Sequence, residues 1–317
     1  MAKFMGRCGV GVACGLAAAL AACYQPAEVA ARAGDPITIV LKKSFIEKYR
    51  NRVTIEADMN VDAVGKVHAA SKDGEMHFAG RADEVGLPIV AELMNAKEQP
   101  AVVKAIRKAR GQAAVKVKGA WRLWCEHADG SNQKQGMKLA PFPDSNPPHV
   151  FEIHPITQFG DDDVLDSVGP IPGFRYKEAD RAFTHYENVT CKIKENSDTV
   201  TIQTQMAGFN IPEFVMESVD DLVGGKVFDE NDGRFMFAAV HDTDGELLVR
   251  KVRLAFIKGT DAEIRARTLA KGGRMRVVGI PRISMTLIDF RIKHQKDDRD
   301  PLNWTLPYEV IIVGVID

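Results

Sequence analysis

Residues 101–125, AVVKAIRKARGQAAVKVKGAWRLWC, decide the fold because a helix pattern passes here directly into a strand pattern. The valines and the isoleucine of 101–110 share one side and the basic residues share the other, which predicts an amphipathic helix that ends at Gly111. From Val115 onward, valines alternate with lysines in the two-residue period of a strand. These residues predict a short helix that leads into a β-sheet.

Strand patterns flank this helix on both sides. Asp73-Gly74 is a hairpin signal between two of them. Val53–Ala57 and Val64–Ala69 are β-rich and are counted as the first strand, and Glu75–Gly80 and Pro88–Leu93 are the next two. Val115–Cys125 and His149–Phe159 follow the helix. Three strands, a helix and two strands is the order of the OB-fold, a small Greek-key barrel. We therefore expect an OB-like domain over residues 37–167.

The second half of the chain repeats much of this order. Prolines and glycines are concentrated in 168–173, which predicts a linker at 168–174. A helix (Lys177–Glu187) and a hairpin (Val189–Lys194 and Thr199–Met206) precede a new series, made of Arg234–Val240, Glu246–Ile257, the helix Asp261–Ala270, Arg274–Ile280, a strand at Ile283–Ile292, and Pro307–Val315. The sequence therefore predicts a mainly β (α+β) protein of two small OB-like β-barrel domains. The second domain, 175–317, has an added N-terminal helix and hairpin.

The first 23 residues have the pattern of an export signal. Lys3 and Arg7 precede an uncharged run, Cys8–Ala22, that is too short for a membrane-spanning helix. The run leads into Leu20-Ala21-Ala22-Cys23, which resembles the lipobox of bacterial lipoproteins.

That resemblance implies cleavage of residues 1–22, acylation of Cys23 and a lipidated tether over 23–36. Tyr24 in place of aspartate after the cysteine implies the outer membrane, facing the periplasm or the cell surface. Two or more acyl chains anchor a protein durably. We therefore expect a protein anchored by lipid to the cell envelope.

Charge is segregated along a chain that is nearly neutral overall, with 42 basic and 43 acidic residues. Basic faces attract polyanions, and aromatic rings beside them stack on bases or sugars. The predicted binding residues are Lys104, Arg107, Lys108, Lys116, Lys118, Trp121 and Trp124. The alternative is that the basic residues are ordinary solvated surface and the tryptophans belong to the core.

A second candidate site combines carboxylates and imidazoles. In an OB barrel the second, third and fifth strands are neighbours. His77, Glu92, Glu152 and His154 are therefore expected to converge near Asp73, and these side chains suit a divalent metal ion or acid–base chemistry. The alternative is a network of structural hydrogen bonds.

The same residues carry a resemblance of their own. Asp73-Gly74-Glu75-Met76-His77, together with Glu152-Ile153-His154-Pro155, resembles a pattern in small exported bacterial proteins of unassigned activity. It covers the first domain and implies no reaction.

These patterns favour a lipid-anchored binding protein of the cell envelope, with an anionic polymer or a saccharide as its ligand. A metal-dependent hydrolase and an envelope assembly scaffold are the alternatives. Expected partners are the membrane, through the anchor, and an anionic polymer, a saccharide or an envelope protein; a divalent metal is the cofactor only of the hydrolase. Cys125 and Cys191 form either one disulfide or two buried thiols.

Overall fold

A computed structural model describes residues 36–129, 132–219, 228–294 and 304–317. The predicted signal peptide 1–22, the lipidation site Cys23 and the tether as far as residue 35 lie outside these ranges. Within them, no helix is both long enough and apolar enough to cross a membrane.

Strands make up most of the regular structure. Those of the first half are β1 (Ile37–Lys42), β2 (Thr54–Val67), β3 (Met76–Arg81), β4 (Ile89–Leu93), β5 (Val115–Leu123), β6 (Asn132–Lys134), β7 (Phe151–Phe159) and β8 (Asp162–Asp163). Those of the second half are β9 (Lys177–Glu178), β10 (Thr190–Glu195), β11 (Thr199–Thr204), β12 (Pro212–Ser218), β13 (Phe228–Glu230), β14 (Gly233–His241), β15 (Leu247–Ile257), β16 (Arg274–Ile283), β17 (Trp304–Thr305) and β18 (Tyr308–Val315). The α-helices are α1 (Lys43–Tyr49), α2 (Pro100–Ala109), α3 (Ala179–Asn188), α4 (Asp261–Thr268) and α5 (Met285–His294).

Barrel 1 is a closed sheet with the strand order β2-β3-β4-β7-β5, in which β5 pairs again with β2. The pair β4–β7 is parallel and the other four pairs are antiparallel. Helix α2 lies between the third and fourth strands in sequence and buries Val102, Val103 and Ile106. This is the topology of an OB-fold and confirms the predicted fold class.

Barrel 2 repeats this topology with the strand order β12-β14-β15-β18-β16, in which β16 pairs again with β12. Its parallel pair is β15–β18, and helix α4 again connects the third and fourth strands. The first strand of this barrel, Pro212–Ser218, is absent from the predicted series, although its side chains alternate between buried and partly exposed positions. The predicted repetition of the barrel is nevertheless confirmed.

One predicted strand is a helix. Residues 283–292 were expected to be extended, but β16 ends at Ile283 and α5 occupies Met285–His294. Ser284 caps the first turn, since its hydroxyl accepts a hydrogen bond from Leu287 N at 3.4 Å and its carbonyl accepts one from Ile288 N at 3.0 Å. The serine cap is the local signal that favours a helix here.

A third sheet links the two halves of the sequence. The predicted hairpin is formed by β10 and β11, and β11 pairs antiparallel with β1, from Ile37 opposite Thr204 to Lys42 opposite Thr199. Strand β6 lies parallel to β1 on its other side. A strand that precedes barrel 1 therefore pairs with a hairpin that precedes barrel 2.

The barrels face each other through their fourth strands, β5 and β16. Val53, Met94 and Ala120 of barrel 1 pack in one apolar cluster with side chains of β14, β15, β16 and β18. Two fully buried arginines cross this interface in opposite directions. Arg122 Nε donates to Pro281 O at 3.0 Å, whereas Arg282 Nη1 donates to Val53 O at 3.1 Å and to Trp121 O at 2.9 Å.

Candidate functional site

The candidate site lies on the outer face of barrel 1. Successive side chains of a strand point to opposite faces, so Phe78 and Phe151 fill the barrel while their neighbours point outward. The outward residues include His77 of β3, Glu92 of β4 and Arg122 of β5. The register places His77 opposite Glu92 and Arg122 opposite Glu152, so the pairing itself brings these groups together.

Four of these outward residues form a connected set of nitrogen and oxygen atoms, which we call the inner cluster: His77, Glu92, Glu152 and His154. His77 Nε2 lies 3.5 Å from Glu92 Oε2, which lies 3.2 Å from His154 Nδ1. His154 Nδ1 is in turn 3.4 Å from Glu152 Oε2. The four residues proposed from the sequence as metal ligands therefore converge.

Neighbouring side chains fix the orientation of the inner cluster. Glu75 Oε1 is 2.8 Å from His154 Nε2, the ring nitrogen that points away from Glu92. Arg122 Nη1 donates to both oxygens of Glu152 at 2.7 and 2.6 Å, and His149 Nε2 lies 3.2 Å from Glu152 Oε1. These contacts hold Glu152 and His154 in place.

Glu75, Arg122 and His149 belong to the site but were not predicted from the sequence as parts of it. Glu75 was named only within the motif Asp73-Gly74-Glu75-Met76-His77. The signal that finds Arg122 and Glu75 is the strand alternation, which puts them on the face that carries the predicted ligands.

Burial separates His77 from the other members of the inner cluster. The side chain of His77 is 14% exposed, whereas those of Glu92, Glu152 and His154 are 4%, 2% and 0% exposed. His77 Nε2 is nevertheless a buried atom without a hydrogen-bond partner, and Glu75 Oε2 lies 3.7 Å from it. A buried donor or acceptor left without a partner is costly, so His77 Nε2 is the atom of the inner cluster that its neighbours satisfy least.

The pKa values of the cluster are shifted in both directions. Burial raises the pKa of Glu92 to about 8. Burial opposes the charged form of His77, but the carboxylates of Glu92 and Glu75 prevail and raise its pKa to about 9. Burial likewise opposes ionisation of Glu152, but the Arg122 guanidinium and His149 hold the pKa of this carboxyl well below its usual range.

The loop between β2 and β3 forms the rim of the site. His68 Nδ1 lies 2.6 Å from Asp73 Oδ1, and Lys72 Nζ lies 3.2 Å from His68 Nε2. The rings of His68 and His77 meet edge to face with centroids 4.8 Å apart. In OB-folds this loop and the faces of the second and third strands are the usual ligand-binding surface.

The predicted basic residues do not form one uninterrupted surface. Lys104, Arg107 and Lys108 are exposed on α2. Lys116 on β5 forms an ion pair with Glu56 at 2.6 Å, and Lys118 lies directly opposite Glu56 in the strand register. The lysines of β5 therefore alternate with carboxylates of β2 instead of forming a purely basic face.

The two tryptophans proposed to stack on a ligand are core residues. Trp121 and Trp124 are 0% and 1% exposed. Trp121 Nε1 donates to Arg52 O at 2.7 Å, and the guanidinium of Arg282 lies 3.6 Å from the centre of its ring. Because neither ring face reaches solvent, the predicted stacking role is wrong for both residues.

The two cysteines within the described ranges are free and buried. Burial raises the pKa of the Cys125 thiol to about 12. A thiol with so little thiolate at neutral pH is a weak nucleophile and a weak metal ligand. Of the two alternatives left open by the sequence, the structure has two separate buried thiols.

Comparisons with known proteins give little information on function. No family model matches the sequence, and no curated protein matches it. One solved structure, described as structural mimicry for functional antagonism, is 8% identical over 84% of this chain and 94% of its own, with a TM-score of 0.19. The HINa domain of Ifi202, solved with a 20-bp double-stranded DNA, is 7% identical over 72% of this chain and 88% of its own, with a TM-score of 0.17. At these TM-scores neither likeness supports an argument about ligands.

Proposed function

We propose that the inner cluster binds one divalent metal ion. The observation that carries the proposal is a triad of ligand atoms. Glu92 Oε2 and Glu152 Oε2 lie 3.2 and 3.4 Å from His154 Nδ1, and one ligand atom from each of the three residues lies within 4.8 Å of the others. Two ligand atoms on a tetrahedral Zn²⁺ ion with bonds of about 2.0–2.2 Å are about 3.3–3.6 Å apart. His77 Nε2 lies 3.5 Å from Glu92 Oε2, at the edge of this triad. Imidazole nitrogens and carboxylate oxygens suit Zn²⁺ and neighbouring first-row metals.

The surroundings of the cluster support this proposal. A histidine that binds a metal through one ring nitrogen usually donates its other N–H to a carboxylate, which fixes the ring. Glu75 occupies that position relative to His154 at 2.8 Å. An ion near His77 Nε2 also satisfies the one buried atom of the cluster that lacks a partner.

The geometry favours a binding role over hydrolysis. A catalytic zinc site keeps one coordination position open to substrate. Glu92, Glu152 and His154 are at most 4% exposed, so an ion held by these three side chains offers little access to a substrate. An ion buried in this way stabilises the fold or is carried as cargo, so metal binding without hydrolysis is the function that we propose.

Metal analysis of the full-length protein, purified in detergent, tests the proposal. We expect one Zn²⁺ per chain and a higher melting temperature with Zn²⁺, since saturation at 100 times the Kd stabilises a protein by about 2.7 kcal/mol. His154→Ala should abolish both effects.

His241→Ala is the matched control, because His241 is also buried beside a glutamate but lies in barrel 2. It should bind Zn²⁺ like the wild type. The proposal is contradicted if the melting temperature of the wild type is the same with Zn²⁺, Mn²⁺, Ca²⁺ or a chelator as without them.

We also propose that the protein is a lipoprotein of the cell envelope, anchored in the outer membrane through Cys23. The lipobox resemblance supports this localisation. Cys23→Ser should remain uncleaved or become soluble, because acylation requires the thiol. Recovery of the same lipidated species from the membrane in this variant contradicts the anchor.

A second candidate function is binding of an anionic polymer by α2, favoured by the exposure of Lys104, Arg107 and Lys108. Each lost phosphate contact should reduce the log–log salt slope of binding by about 0.7–0.9. Reversing the three charges in the full-length protein and measuring heparin binding at several salt concentrations tests this. An unchanged slope identifies α2 as ordinary surface and leaves a saccharide or an envelope protein as the partner.

A further inference from the structure

His77 is the most exposed member of the inner cluster. Its side chain is 14% exposed whereas those of the other three members are at most 4% exposed, and its ring packs against His68 of the loop between β2 and β3. His77 is therefore the member of the cluster that a cation from solvent meets first. A hydrated divalent cation also has to exchange its water for protein ligands on the way.

His77 belongs to two groups of metal-binding side chains. One ligand atom each from Glu75, His77 and Glu92 lies within 4.8 Å of the others in the interior, and His68, Asp73 and His77 meet the same criterion at the rim. The rim residues are partly exposed, with side-chain fractions of 21% for His68 and 18% for Asp73. An ion held at the rim is thus already in reach of a residue that faces the interior.

The rim is held in shape before any ion arrives. Asp73 Oδ1 pairs with His68 Nδ1 at 2.6 Å and accepts a hydrogen bond from Glu75 N at 3.1 Å. The loop turns through Gly74, whose φ of +66° few other residues tolerate. Because Asp73 orients His68 through Nδ1, the ring directs Nε2 away from this carboxylate.

Lys72 occupies the free side of His68. Its ammonium lies 3.2 Å from His68 Nε2, so the lone pair that a metal ion needs accepts a hydrogen bond from the lysine instead. The ammonium also repels a cation at this distance. Lys72 is exposed, so it can move into solvent without breaking a buried contact.

We infer that His68, Asp73 and His77 form an entry site through which the metal ion passes to the inner cluster, with Lys72 as the group that restricts entry. The inference rests on the proposed metal binding and adds its route. The ion first binds His68 Nε2 after Lys72 withdraws, while Asp73 holds the ring in place through Nδ1. His77 then passes it to Glu92 and His154, and the rim returns to its original contacts.

Stopped-flow exchange of Zn²⁺ with a chromophoric chelator, on the full-length protein in detergent, tests this route. His68→Gln keeps a donor for Asp73 but removes the imidazole. Association and dissociation of Zn²⁺ should both slow by about tenfold or more, because a missing intermediate raises one barrier and leaves the two end states unchanged. The Kd and the stoichiometry should match the wild type.

Lys72→Ala should act in the opposite direction and accelerate association, since it removes a competing donor and a like charge. Lys192→Ala, which removes an exposed lysine from β10, is its control and should leave both rates unchanged. Opposite effects at His68 and Lys72 exclude a general disturbance of the loop.

Three results contradict these expectations. Unchanged rates in His68→Gln with normal Zn²⁺ binding overturn the entry site and leave the metal site intact. A second Zn²⁺ per chain that disappears in His68→Gln also overturns it, because the rim is then a permanent site. No Zn²⁺ binding by the wild type refutes the proposed function itself.

Discussion

The outer faces of the two barrels carry the same cross-strand ion pair but differ in what surrounds it. Arg122 lies opposite Glu152 between the fourth and fifth strands of barrel 1, and Arg282 lies opposite Glu309 at the same place in barrel 2. In barrel 2 the oxygens of Glu309 accept from Arg282 at 2.7 Å, from Arg253 at 2.8 Å and from Ser284 at 3.0 Å.

Barrel 1 surrounds its pair with histidines and further carboxylates instead. Glu152 is close to His149 and His154, and His154 is close to Glu75 and Glu92. An arginine keeps its charge at every physiological pH, whereas a histidine gives up its proton to a metal ion. The same ion-pair position is therefore surrounded by permanently charged arginines in barrel 2 and by histidines, which can gain or lose a proton, in barrel 1.

The largest expected effect is on barrel 2. Arg282→Met leaves the carbonyls of Val53 and Trp121 and part of Glu309 without partners, and it should cost about 3–5 kcal/mol of unfolding free energy. Arg122→Met should cost less, because His149 and His154 remain close to Glu152. Urea unfolding in the presence of a chelator measures the loss of unfolding free energy in both variants. Equal losses contradict the difference between the two barrels.

An intermediate effect is expected in acid. Burial opposes ionisation of Glu309, but Arg282 and Arg253 prevail and lower its pKa below the ordinary value of 4.5. A carboxyl whose pKa is lower in the folded than in the unfolded protein stabilises the folded state at pH values above its ordinary pKa. This stabilisation is lost as the pH falls through the folded-state pKa.

The difference in unfolding free energy between the wild type and Glu309→Gln should therefore shrink as the pH is lowered below 4.5. Urea unfolding at several pH values measures it. A difference that is constant from neutral to acid pH contradicts the assigned charge of Glu309.

The smallest stability effect is expected at Glu92. Since burial raises its pKa to about 8, the carboxyl is largely protonated at neutral pH without metal, and glutamine resembles it closely. Glu92→Gln should therefore unfold like the wild type in chelator but lose Zn²⁺ binding. A large loss of stability without metal makes Glu92 a structural group like Glu309.

The sequence allowed much of the site to be predicted because the relevant pairings follow from the fold. Once the strand order indicates an OB barrel, its second, third and fifth strands are neighbours, and His77, Glu92, Glu152 and His154 must approach one another. Local alternation alone decides which face they share.

Other features depend on contacts that local patterns do not record. Arg122 lies in a segment rich in basic residues, but it is fully buried and its guanidinium contacts Glu152 and the Pro281 carbonyl of barrel 2. Trp121 belongs to the main apolar core, and Arg282 of barrel 2 covers its ring. The pairing of β1 with β11 joins segments more than 150 residues apart, from Ile37 to Thr204, and neither segment specifies its partner.

The position of β1 has a mechanical consequence. This strand begins at Ile37, directly after the predicted tether 23–36. It is hydrogen-bonded along its length to β11 and over part of its length to β6. A pull on the tether along the strand axis therefore loads these hydrogen bonds together in shear and does not unzip them one at a time. Through β11 the force also reaches the hairpin that precedes barrel 2 in the sequence, so a load applied at the start of β1 is shared between the two halves of the protein.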